Sequence, residues 1–291
     1  MAGELITGDG QLEYNGYVLG DDVTTFMTSL TGWEDLPPID SSNTLKPSSY
    51  GAWSGKKLPG QRILTWSGRF SPEDPDQWTD LLDDLKNAFT IPFDTEELTI
   101  AVRTRDDVKI VFGACVQRAI PMDYTYSYYG ANITLQFECS DTRKYSLLEK
   151  SVFISTPTDT IDGLDYPLVY PLDYGIADLA SDATVNNDGF TPTPVILDFQ
   201  GPMSNPKLIN TTTGQQLGFD ISLVTSDVLT VNTRTGTVLL NGSADRLYTR
   251  TLTSSPVLNF TLIPGDNEMH LTAGTWSVGS GVTITYRDAT L

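Results

Sequence analysis

The chain has 291 residues, a length that suits two domains of ordinary size, each able to bury its own core. Its 37 acidic side chains against 18 basic ones give a formal charge of −19, and such a surface repels phosphates, so sequence-specific nucleic-acid binding is excluded as an expectation. No apolar run approaches the ~18 residues of a membrane span, and the start MAGELITGDGQLEYNG lacks the basic and apolar stretches of a secretory signal, so neither is expected.

The first informative segment is SSNTLKPSSYGAWSGKKLPG, residues 41–60. It is rich in Ser, Gly and Pro, forms no stable element alone, and reads as an arm ordered by docking. No acidic residue stands between Asp40 and Glu73, whereas Lys46, Lys56, Lys57, Arg62 and Arg69 make the stretch +5. Complementary charge promotes association between otherwise acidic subunits, so Lys46, Lys56, Lys57 and Arg62 are candidate subunit-interface residues, with a solvated loop as the alternative.

Residues 62–70, 98–104, 108–117 and 132–139 alternate as strands with one buried face. Between the first two lies a helix: Asp74 caps it, Pro75 takes the first helical position, Gln77 completes a capping box, and Trp78, Leu81, Leu82, Leu85 and Phe89 recur at helical spacing. In MDYTYSYYG, Tyr124, Tyr126 and Tyr128 alternate onto one face of an extended strand and are further interface candidates, intradomain packing being an equal alternative. Alternation places Cys115 and Cys139 on opposed faces, as reduced thiols used in packing. The Asp-, Thr- and Pro-rich stretch 151–194 reads as a connector with irregular first strands. From Thr193 on, short runs separated by Gly201-Pro202, Asn205-Pro206, Thr213-Gly214, Thr235-Gly236, Asn241-Gly242 and Pro264-Gly265-Asp266-Asn267 predict an all-β sandwich. The fold class is therefore mainly β, with an α+β N-terminal domain of one helix over 1–150 and the connector and sandwich over 151–291.

Catalytic chemistry has few candidates. His270 is the single histidine, and in EMHLTA it shares the polar face of a strand with Glu268 and Thr272 while Met269 and Leu271 take the other, a solvated arrangement. Gly51 to Lys57 has the wrong spacing for a phosphate loop, and Asp159, Asp162, Gly163 and Asp165 lack the order of a calcium loop. The pairs Asp21-Asp22, Asp83-Asp84 and Asp106-Asp107 could serve glycoside cleavage only at a suitable separation in space. No catalytic, cofactor or metal residue is assigned.

One order of motifs is specific. A strand, GPMSNP, a second strand, NTTTGQ, a third strand, LNG, IPGDN and a last strand ending YRDA resemble the C-terminal domain of the distal tail protein (Dit) family of long-tailed phages. GQRILTWSGRF resembles that family's ring-forming domain, and GLDYPLVYPLDYG its inter-domain stretch. The resemblance implies a galectin-like jelly-roll C-terminal domain outside a homo-hexameric ring. It also implies a non-enzymatic virion protein at the tail tip, assembled in the host cytoplasm, with the tail tube protein, the tape measure and tail-tip or tail-associated proteins as partners. A second hypothesis makes the jelly roll a carbohydrate-binding module contacting a host surface glycan, which exposed aromatic rings on a concave face would favour.

Overall fold

The computed structural model describes residues 3–91, 97–105, 107–156 and 181–291. The chain divides into two compact units, Met1–Leu147 with Leu291, and Leu148–Thr290. Both are dominated by antiparallel strands.

In the first unit, β1 (Leu12–Tyr14) and β2 (Tyr17–Leu19) form a hairpin closed by Asn15-Gly16, whose φ values of 50° and 74° are what a two-residue turn matching strand twist requires. β3 (Thr25–Thr31) leads into an arm of four two-residue strands, β4 (Ile39–Asp40), β5 (Thr44–Leu45), β6 (Ala52–Trp53) and β7 (Leu58–Pro59), after which β8 (Arg62–Phe70) returns alongside β3. A single 3-10 turn at Pro75–Gln77 then opens α1 (Trp78–Ala88). Asp74 accepts from the Asp76 amide and so caps the 3-10 turn as expected, whereas Gln77 donates its side chain to the Asp74 carboxylate instead of closing a capping box on the Asp74 amide.

β9 (Leu98–Thr104), β10 (Asp107–Ala119), β11 (Ala131–Cys139) and β12 (Lys144–Ser146) follow, and the main strands lie in the order β2-β1-β9-β10-β11-β8-β3. β10 pairs with β9 along its first half and with β11 along its second, with a bulge between Cys115 and Gln117 where it changes partner. The alternation in β8 buries Leu64, Trp66 and Phe70, and α1 lays Trp78, Leu82 and Leu85 on the same core. Tyr14 stacks on Phe89 at 5.5 Å, and Phe70 meets Trp78 at 5.0 Å.

The second unit opens with β13 (Lys150–Ser155), which pairs with a strand near the chain end and buries Ile154. The stretch 151–194 is expected to be a connector with irregular first strands; its opening residues instead belong to a regular strand, paired along its whole length. The prolines that suggested the connector lie further on, and 150–155 alternates enough to cover a sheet edge. The inter-domain stretch 163–175 lies outside the described residues.

The next strands are β14 (Asp182–Asn187), β15 (Thr193–Gln200), β16 (Met203–Ser204), β17 (Lys207–Asn210), β18 (Gln215–Gly218), β19 (Ser222–Leu223), β20 (Val228–Asn232) and β21 (Thr237–Leu240). Then come β22 (Ala244–Asp245), β23 (Thr261–Leu262), β24 (Gly265–Thr272), β25 (Thr275–Trp276) and β26 (Gly281–Tyr286). One sheet runs β13-β26-β15-β20-β21-β22 and the other β14-β24-β17-β18. Inward residues of both, among them Leu197, Phe199, Leu208, Phe219, Val231, Leu271 and Ile284, form one core.

Candidate assembly interface

The arm between β3 and β8 is the least buried part of the first unit. From Pro38 to Gln61 no residue is buried, although the segment carries Leu45, 80 % exposed, Trp53, 57 % exposed, and Ile39, Tyr50 and Leu58. Its ladders are short, Ile39 with Pro59 and Thr44 with Trp53 among the pairs. Isolated two-stranded hairpins are marginal in water, so a hairpin with these apolar side chains in solvent gains stability only from a surface that covers it. Lys56 and Lys57 are exposed on it and Lys46 is half-buried.

Arg62 departs from that group. It is 1 % exposed, because it occupies the inward phase of β8 two residues before Leu64. Its Nη1 donates to the carbonyls of Gly32, Trp33 and Asp35 at 2.5, 3.1 and 3.0 Å, and its Nε donates to that of Thr142 at 3.0 Å. Burial holds its pKa below the usual guanidinium value. Lys144 joins it, donating to Trp33 O at 3.0 Å and lying 5.5 Å from the Trp33 ring centre. Arg62 is thus a clasp at the root of the arm inside its own subunit, which corrects its assignment as a direct intersubunit contact.

The tyrosine run is corrected as well. Thr125–Tyr128 is a 3-10 turn, since Asp123 accepts from the Thr125 and Tyr126 amides and draws the chain into a coil that an extended strand would forbid. Tyr126 is half-buried edge-on against Trp78 at 5.6 Å. Tyr124 and Tyr128 pair at 4.9 Å and stand 76 % and 67 % exposed, beside exposed Met122.

The thiols are free, but Cys115 and Cys139 do not lie on opposed faces. Both enter the same core, because the inward phase of β10 is Val111, Gly113 and Cys115; a Cβ on Gly113 would stand 2.6 Å from Cys139 Sγ. Burial pushes the Cys139 thiol up to about 12.

On the second unit, β14 and β24 bring Asp182, Glu268 and His270 to one face, where they line a hollow of about 350 Å³ with Thr184 and Thr211. His270 Nδ1 shares a hydrogen bond with Asp182. Among the described residues no Phe, Tyr or Trp lines this hollow, and Trp276 instead packs half-buried against the core. No group of His, Cys, Asp and Glu that could hold a metal ion occurs among the described residues, and Asp106, Asp159, Asp162, Gly163 and Asp165 lie outside them.

The motifs of the second unit meet in space. Asn210 of NTTTGQ donates through Nδ2 to Asn267 Oδ1 of IPGDN at 3.1 Å, and both are fully buried. Asn267 Oδ1 also accepts from the Ile263 amide, while its Nδ2 donates to the carbonyls of Ile263 and Gly265. Gln215 ties β18 to Asn259 and Thr261. Asp288 of YRDA accepts from the Asp188 amide and pairs with Lys150 at 2.8 Å.

Residues 188–289, which contain these contacts except for Lys150, match the SPP1 Dit family, described as siphovirus-type tail component, C-terminal domain. This segment is similar to that tail-component family. The crystal structure of the phage SPP1 Dit protein, titled a paradigm of the hub adsorption apparatus in Gram-positive infecting phages, has a similar fold with a TM-score of 0.67. It is 13% identical, and the alignment covers 98% of this chain and 100% of that one. A chain of the phage P2 baseplate in its activated conformation with Ca aligns with a TM-score of 0.54 at 12% identity, covering 94% of this chain and 97% of that one. Nothing among curated proteins matches the chain. The mainly β fold is therefore shared with a Dit protein over both units, while the sequence kinship rests on the second.

Proposed function

We propose that this protein is a distal tail protein: a structural component of the phage tail tip whose first unit closes a homo-hexameric ring joining the tail tube to the baseplate or tip. The observation that carries the reading is the fold alignment to a Dit protein across nearly the whole chain, together with the tail-component family of residues 188–289. The first unit supplies what a ring needs. Its sheet ends in an edge strand, β3, with exposed Phe26 and Met27, and its arm carries apolar and basic side chains that its own subunit leaves uncovered. Lys46, Lys56, Lys57, Tyr124 and Tyr128 are the contact residues in this reading, with Tyr126 and Arg62 supporting them from within. The second unit serves as a folded platform for tail-tip partners, and the protein works in the virion without catalysis.

Mass measurement by light scattering tests the ring. A hexamer, or a smaller species that enters a ring with tail partners, is expected. A monomer that also stays outside assembled tails overturns the proposal.

A further inference from the structure

We infer that the arm of one copy seats on the tyrosine turn and the carboxylate-rich start of α1 in the neighbouring copy. This contact rests on the ring reading and names the two faces that make it.

Three observations converge. The arm offers Lys56 and Lys57 in solvent beside exposed Leu45, Tyr50 and Trp53. It therefore fits a face that is both acidic and apolar. Such a face exists at the start of α1. Glu73, Asp74, Asp76 and Asp80 are all exposed there, and none of them has an ion pair among the described residues. Tyr126 and Tyr129 meet Trp78 edge-on at 5.6 and 6.3 Å, which ties the turn that carries exposed Tyr124 and Tyr128 to the first residue of α1.

The third observation is placement. The arm is rooted at Arg62, the first residue of β8, while Phe70, the last, packs on Trp78, the first residue of α1. The eight steps from Arg62 to Phe70, at ~3.3 Å each, put the two ends of β8 roughly 26 Å apart. A ring requires a head-to-tail contact, in which one patch meets a different patch on the next copy. Two complementary patches at opposite ends of one strand meet that requirement. Two copies of net charge −19 repel through most of their surface, and the arm is the stretch where the sign reverses.

The test exploits this polarity. Variant K56E/K57E has an acidic arm and an acidic face; variant E73K/D76K/D80K has a basic arm and a face on which Lys outweighs the remaining Asp74. Each alone sets like charge against like, and its assembly constant should fall about tenfold or more, given two or three reversed exposed charges per contact. Mixed in equal amounts, the two should recover assembly in rings of alternating composition, since every arm then meets a face of opposite sign. Recovery should weaken with added salt. Circular dichroism melts verify that each variant is folded.

Assembly of either variant alone as well as wild type, or failure of the folded mixture to recover, overturns this contact and leaves the ring standing. A wild-type chain that neither self-associates nor enters tails overturns both.

Discussion

Asn267→Ala should unfold the second unit at a distinctly lower temperature than wild type. The side chain is fully buried and makes four hydrogen bonds, at 3.1 Å from Asn210 Nδ2, 3.0 Å from the Ile263 amide, and 2.8 and 3.0 Å to the carbonyls of Ile263 and Gly265. Each bond is worth about 1 kcal/mol net, and each stranded partner buried without water costs ~1–3 kcal/mol more. The Gly265 carbonyl lies at an exposed turn and recovers water, so the loss falls chiefly on Ile263 and Asn210. The sum is about 4 kcal/mol, which corresponds to a melting shift of ~10–15 °C for a unit of this size. Calorimetry of the full chain separates the two transitions, and only the second should move. The double variant with Asn210→Ala should be milder than the sum of the single losses, by ~1 kcal/mol, because the bond between the two amides is removed only once. A single variant that melts within a degree or two of wild type would refute the claim that this buried pair holds the two motifs together.

Other outcomes follow from the same structure. Arg62→Met should lower the stability of the first unit by about 2–3 kcal/mol through stranded carbonyls, and raise proteolytic cleavage within residues 36–60 before any global unfolding; unchanged cleavage would remove Arg62 from the root of the arm. Because the folded Cys139 thiol is raised to about 12 from an ordinary value near 9, the unfolded chain releases that proton first. Stability of the first unit should thus be intact below pH 9 and fall as the pH rises toward 12, less steeply in Cys139→Ala, as followed by alkaline denaturation. A fragment of residues 148–291 should be soluble, melt cooperatively and leave cell-wall polysaccharides uncut, whereas one starting at residue 157 loses β13 and should melt lower or aggregate. Cleavage abolished by His270→Ala would contradict the non-enzymatic reading.

Regular elements were legible where a single face is buried along the whole run. Residues 62–70 and 132–139 form strands because alternate residues meet one core, 98–104 is a strand in which Ile100, Ala101 and Val102 are all buried, and α1 forms where Trp78, Leu82 and Leu85 share a stripe. The same parity in RILTWSGRF already places Arg62 in phase with Leu64 and Trp66; reading it by charge instead of by phase put it on the surface. Two further local signals stand in the sequence. Asn15-Gly16 marks the β1–β2 turn, and Asp123, two residues after Pro121, marks the turn that coils the tyrosines. The meeting of Asn210 with Asn267 depends on pairing across 57 residues of chain, which no spacing rule reveals. Likewise the inward face of β10 is decided by which neighbour covers it, since apolar residues occupy both of its phases.

The arm also bears on how such a chain can change. It is a loop between β3 and β8, whose pairing from Thr25 with Phe70 to Thr31 with Thr65 is complete without it. Closing a flexible loop costs only about 0.6 kcal/mol more for each doubling of its length. Since residues 38–61 bury nothing in their own unit, insertions and deletions there leave the folding of the subunit nearly untouched. Length and composition in this segment are then free to track whatever surface it must cover, and selection on the arm is decoupled from selection on the core that carries it.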